Sequence, residues 1–237
     1  YIWINHEPMK KTLLTNPVFR YIFEVFIIVF SVTISFYIQE KINTQNKIDD
    51  KNAGLNGILS DLKKDENYFY GLQLGVERKM ETVNKILKDK VMSNLQFNNL
   101  MRYNGFTGNN NNYKSMISTG SVEYISNKEL FEKINNFYSW NYNVMSDQAK
   151  QDESLFWRFT HHIEENYLID SITSDKESAL YQKFHINKIT LEKIINDPQI
   201  TSQLNTRQFI YNIIKFFAED SLRKIDELKV LIQEELK

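Results

Sequence analysis

Residues 21–38 read YIFEVFIIVFSVTISFYI, and this run constrains the chain more than any other feature. Its eighteen positions hold one charge, Glu24, and three hydroxyls, Ser31, Thr33 and Ser35. At ~1.5 Å rise per residue a helix of this length covers roughly 27 Å, the thickness of a thin hydrocarbon core. Val18 and Phe19 extend it, Asn16 is placed to cap it, and Pro17 stands where a first helical residue belongs. Phe19 and Tyr21 on one side and Phe36 and Tyr37 on the other form the aromatic belts of a membrane-spanning helix. Two competing readings fit less well. A buried core helix would show a polar face, whereas Phe, Ile and Val occur all round. A cleaved leader would have a shorter apolar run followed by a small-x-small site. The expectation is an N-terminal segment over 1–16 and a transmembrane helix over 17–40. The first residue is Tyr1, so the native start is open, with Met9 one candidate.

Charge does not orient this helix. Lys10, Lys11 and Arg20 precede it, and Lys41, Lys47 and Lys51 follow it. Glu24 is its most unusual residue, because a carboxyl facing lipid costs a few kcal/mol. One reading makes Glu24 a contact to a cationic or hydroxyl group of a partner's transmembrane helix. The other has it reach the interface from one turn inside the boundary.

The remainder is expected to be all-α. Seven Gly and three Pro in 237 residues favour long helices over many short strands. Ile48, Leu55, Leu59, Leu62 and Phe69 carry a helical stripe, which predicts that the membrane helix continues as a stalk over 41–70. Gly54 and Gly57 interrupt that stripe and predict either a hinge or close packing of a neighbouring helix. A helical bundle is expected over 71–237, its helices covering Val76–Val91, Leu95–Tyr103 and Tyr113–Thr119. A loop is predicted at 103–112, YNGFTGNNNN, and Gly120 is a natural helix end. Ser126 and Glu129 have capping-box spacing and open a long helix to about Leu168. Residues 171–177 read as a polar connection, with helices at Ala179–Phe184 and Thr190–Asn196. Asp197-Pro198 punctuates before a final helix from about Thr206 to Glu235. In that helix Tyr211, Ile214, Ala218, Ser221, Ile225, Leu228 and Ile232 alternate steps of three and four. This pattern serves a coiled coil to another chain or packing on the helix's own domain.

Chemistry leaves few marks. Lys and Arg total 29 against 30 Asp and Glu, so no basic excess attracts nucleic acid. With no Cys, the chain has no disulfide, thiol nucleophile or Cys-ligated metal. No phosphate-binding glycine loop and no serine nucleophile elbow occurs. His161 and Glu165 lie one turn apart, but two ligands make no metal site. No cofactor, metal or catalytic residue is expected, and the chain reads as a non-enzyme.

The segment from Tyr113 to Tyr138 carries a resemblance. Tyr113, Ser118, Gly120, Ile125, Asn127, Leu130 and the Phe137-Tyr138 pair follow a pattern of Tyr, Ser-Gly, Ile-x-Asn, Leu and an aromatic pair. With an acidic residue early in the membrane helix, matched by Glu24, this resembles a family of uncharacterised bacterial membrane proteins frequent in the Bacteroidota. The spacing departs from the family's pattern in having Ser-Thr-Gly where a tighter Ser-Gly is expected. The resemblance implies a single-pass membrane protein in an envelope setting and brings no assigned activity; an N-terminal anchor without a cytoplasmic domain adds the expectation of an inner-membrane protein with its helical domain in the periplasm. The functional expectation is a non-catalytic accessory or structural subunit of an envelope complex, acting by helix–helix interaction with membrane or envelope proteins or with itself. The alternative is a membrane-anchored sensor whose helical module binds a small ligand.

Overall fold

The computed structural model describes residues 17–175 and 178–237. Asn16, Met9 and the rest of the segment 1–16 lie outside the described residues. The first helix, α1, runs Pro17–Asp89. The chain divides into two compact units, one ending at Asp50 and one beginning at Lys51.

In the first unit the apolar side chains from Val18 to Ile42 are exposed. The most apolar stretch has a mean hydropathy of 2.1 and none of it is buried. Among the described residues this is the one helix long and apolar enough to cross a membrane. Two of its three hydroxyls turn inward on the helix: Thr33 donates to the Val29 carbonyl and Ser35 to that of Ser31, both at 2.8 Å. That removes their demand for water and leaves the outer surface effectively apolar.

The second unit is a helical bundle. After α1 come α2 (Asn94–Leu100), α3 (Asn111–Thr119) and a 3-10 turn (Ser121–Tyr124). Next are α4 (Lys128–Asn136), a π-helical turn (Phe137–Asn141) and α5 (Tyr142–Asn166). A hairpin of β1 (Ser171–Asp175) and β2 (Ser178–His185) precedes α6 (Lys188–Asn196) and α7 (Pro198–Glu235). Three ion pairs join α1 to α7: Lys51 to Glu235 at 2.8 Å, Glu66 to Lys229 at 2.7 Å and Glu77 to Lys215 at 2.8 Å. Numbers rise on α1 as they fall on α7, so the two helices run antiparallel. The heptad-like residues of α7, Tyr211, Ile214, Ala218, Ser221, Ile225, Leu228 and Ile232, are all buried within this unit. They serve its own core, and packing begins at Lys51, so residues 51–70, expected as stalk, belong to the bundle.

Several boundaries differ from expectation. The helix predicted to start at Val76 is the continuation of α1 through Gly71 and Gly75. Each Gly costs about 1 kcal/mol, but burial of Phe69, Leu72 and Val76 on the same face returns about 1.5–3 kcal/mol apiece. A Cβ at Gly71 or Gly75 would meet nothing within 4 Å. Replacing either by Ala therefore raises stability by about 0.5–1 kcal/mol, seen as a higher urea midpoint for the full chain in detergent. Two other glycines are close-packing positions. No break occurs in α1 at Gly54 or Gly57; an added Cβ at Gly54 would come 2.6 Å from Met116 Sδ, and one at Gly57 2.5 Å from Asn112 Cγ. The structure thus has α3 seated on these glycines in place of a bend.

The cap of α4 is Asn127, whose side chain accepts from Leu130 N, and not Ser126. The final helix opens at Pro198, with Asp197 accepting from the Gln199 and Ile200 N–H groups. Residues 171–175 and 178–185, expected as a connection and a helix, pair as antiparallel strands, with Ile172 opposite Phe184 and Ser171 opposite His185. Side chains of α2 act as the next strand. Asn98 exchanges two hydrogen bonds with the Phe184 backbone, at 2.7 and 2.8 Å, and Asn94 two with Ile186, both at 2.9 Å. Alternate residues of an extended chain are held this way, and a helix could not present them.

Candidate functional site

Residues 101–110 form no helix or strand, so their backbone groups need partners from elsewhere. They find them in an unusual set of buried charges. Arg207, fully buried, donates to the Leu100 carbonyl at 2.7 Å and the Arg102 carbonyl at 2.9 Å. Lys79 donates to the Arg102 carbonyl at 3.1 Å and to Asn104 Oδ1 at 3.0 Å. Tyr68 donates its hydroxyl to the Gly105 carbonyl.

Three Asn–Asp grips of one design complete the clamp. The backbone N–H and side-chain amide of Asn104 both donate to Asp152 Oδ2, at 2.7 and 2.9 Å. Those of Asn109 donate to Asp65 Oδ1, at 3.1 and 2.7 Å. Those of Asn112 donate to Asp61 Oδ2, at 3.4 and 2.8 Å. Tyr142 ties the network together, donating to Asp65 Oδ2 and accepting from Asn109 N at 3.0 Å. Gly108 lets the loop lie on the Tyr142 ring, since a Cβ there would stand 2.7 Å from Cδ1. Asp61, Asp65, Lys79, Asp152 and Arg207 are all buried.

Burial shapes the electrostatics. It pushes the Lys79 ammonium down to about 8, against the pull of Asp152. It raises the Asp65 carboxyl, which the hydrogen bonds from Tyr142 and Asn109 only partly offset. It lifts the Tyr68 hydroxyl to about 12 and those of Tyr138, Tyr142 and Tyr211 well above the usual range. Charge-assisted bonds in such a setting are strong, and the loop is fixed at both ends.

The residues singled out in the sequence meet this site only in part. Tyr113 stacks on Tyr138 with ring centroids 4.7 Å apart, and Tyr138 meets Tyr142 at 5.1 Å. Tyr113 donates to Asn135 Oδ1 at 2.7 Å, while the buried Tyr138 hydroxyl finds no hydrogen-bond partner among the described residues. Gly54 and Gly57 carry the far side of α3. Ser118 bonds the Ser115 carbonyl at 2.8 Å, Gly120 ends α3 at φ 70°, Asn127 caps α4, and Leu130 and Phe137 are core. Glu24 pairs with Arg20 of its own helix at 3.2 Å. His161 faces Glu164 at 3.8 Å and not Glu165. Among the described residues no group of three metal-binding side chains occurs.

Sequence reasoning passed over Asp61, Asp65, Lys79, Asp152 and Arg207, and it read Asp197 as a helix start without the half-buried carboxylate centre that it forms. Asp197 accepts from His162 Nε2 at 2.6 Å and the Tyr167 hydroxyl at 2.7 Å. Burial would raise its carboxyl, but His162, Tyr167 and the Gln199 and Ile200 N–H groups hold it down at about 2. A carboxylate depressed in the folded state stabilises above its unfolded value, and that stability is lost as pH falls through the folded one. Stability should therefore drop between about pH 4 and about pH 2, and Asp197→Asn should flatten that part of a urea-midpoint profile.

No family model, curated protein or solved structure matches this chain.

Proposed function

We propose that the chain is a single-pass bacterial inner-membrane protein and a non-catalytic accessory subunit of an envelope complex. Residues 17–40 span the bilayer, and the helical unit lies in the periplasm. The observation that carries this reading is the unbroken exposure of apolar side chains from Val18 to Ile42, about the length a hydrocarbon core needs. Water would penalise so much exposed apolar surface, and lipid or a partner's helices would not. The Arg20–Glu24 pair supports it by neutralising both charges near one end of the span. The role as a binding subunit is supported by the clamp, whose polar groups are spent on the backbone of loop 101–110. Preorganised loops on rigid scaffolds serve recognition, because little entropy is lost when a partner docks.

A native pull-down from membranes solubilised in mild detergent tests the reading. A stoichiometric set of membrane or envelope partners is expected, weakened by Glu24→Leu if that carboxylate meets a partner. Recovery of the chain alone at native expression would remove the accessory role. A ligand-dependent rise in thermal stability would favour a small-molecule sensor in its place.

A further inference from the structure

The three grips on loop 101–110 and the first turn of α3 share one geometry but not one electrostatic setting. Asp152 has cations beside it: Arg207 at 3.7 Å, and Lys79, which bonds the same Asn104. Among the described residues, Asp61 and Asp65 pair with no buried cation. They stand four residues apart on one face of α1, where like charges repel. Their loop contacts come from neutral donors, Asn109, Asn112 and Tyr142. Among the described residues the one ion pair to either of them is from Lys64, 3.5 Å from Asp61 and 61% exposed, where solvent screens it. The other titratable groups packed here are phenols: Tyr68 from α1, Tyr113 from α3, Tyr138 from the π-helical turn and Tyr142 from α5. None of them supplies positive charge.

We propose that the Asp65 grip of the clamp is an acid-operated release, which frees Asn109 on acidification while Asp152, paired with Arg207, keeps Asn104 in place. Burial and then the charge of Asp61 favour a proton on Asp65, against its hydrogen bonds from Tyr142 and Asn109. Protonation turns charge-assisted bonds into neutral ones, about half as strong, and sets the new proton against groups that already donate. The sign of the linkage makes the event local. A carboxyl raised in the folded state takes up its proton more readily folded than unfolded, so this step does not cost global stability. At Asp152 the carboxylate is paired with buried Arg207 and stands beside Lys79, so the two ends of the clamp sit in different electrostatic settings.

Amide hydrogen exchange of the full chain in detergent, corrected for intrinsic rates, reads each grip separately. Between about pH 7 and about pH 4, the ordinary aspartate value, protection at Asn109 should fall about tenfold while that at Asn104 holds. Asp65→Asn should leave Asn109 weakly protected at both pH values. Asp61→Asn removes the neighbouring charge and should move the Asn109 transition to lower pH. Equal responses at Asn104 and Asn109, or a pH response at Asn109 that survives Asp65→Asn, would overturn the proposal.

Discussion

Arg207→Ala is expected to be the most damaging single substitution in the bundle, at about 4 kcal/mol. The guanidinium is fully buried, and its loss removes the donors to the Leu100 and Arg102 carbonyls. It also leaves Asp152 in the interior with Lys79 as its remaining cation, and breaking a buried pair costs about 3–5 kcal/mol. The neighbours offer little relief, since Arg207 also lies over the Phe159 and Tyr211 rings at 5.7 and 5.5 Å. Arg207→Lys separates charge from shape. It keeps the cation but not the planar fork that reaches two carbonyls, so it should recover part of the loss and no more. Urea denaturation of the full chain in detergent measures both, and an Ala variant within about 1 kcal/mol of wild type would contradict the clamp's energetic role.

The second large effect lies at the last residue of α7. Glu235 accepts from Lys51 Nζ at 2.8 Å, Ser126 N at 2.9 Å and Asn127 N at 3.0 Å. Both members of the ion pair are buried, with side chains 8% and 5% exposed. Burial alone would raise the Glu235 carboxyl, yet these three donors hold it below the ordinary range. Glu235→Ala strands a buried ammonium and two backbone N–H groups at the start of α4. The expected cost is about 3 kcal/mol, the low end for a buried pair because a helix terminus can fray and admit water. Exchange at Ser126 and Asn127 should rise with it, while Asn104 keeps its protection. The same carboxylate gives a pH signature. Its contribution is present above the unfolded glutamate value and fades as pH falls through the folded one.

The sequence carried the class of fold plainly, because the apolar periodicity of α1, α5 and α7 is helical and long, even with glycines and charges set into it. It misled where tertiary contacts decide. Nothing in 171–185 announces a hairpin, since its partner groups are Asn94 and Asn98, two side chains on a helix far away in the chain. Gly71 and Gly75 looked like a boundary because local propensity takes no account of the core on the far face. The clamp, in contrast, did leave a trace. Asp65 falls in register between Leu62 and Phe69, Lys79 between Val76 and Val83, Asp152 between Met145 and Leu155, and Arg207 between Leu204 and Tyr211. Each is a charge set into an apolar stripe, and buried charges in such places are paired. The Asn-rich loop was legible as a loop, but not as the partner of those charges. The Tyr113–Tyr138 segment that prompted the family resemblance packs beside the clamp and supplies rings, a cap and a turn.

The central claim is that residues 17–40 span the inner membrane with the bundle outside the cytoplasm. The chain contains no Cys, so single cysteines report without background. Ser202→Cys lies on the exposed surface of α7, and Thr12→Cys lies before the span. Membrane-impermeant maleimide applied to intact cells should label the Ser202→Cys chain at once and the Thr12→Cys chain only after lysis. Both chains should stay with the membrane through an alkaline carbonate wash. Labelling of Thr12→Cys in intact cells with Ser202→Cys protected, or release of the chain by carbonate, would contradict the account.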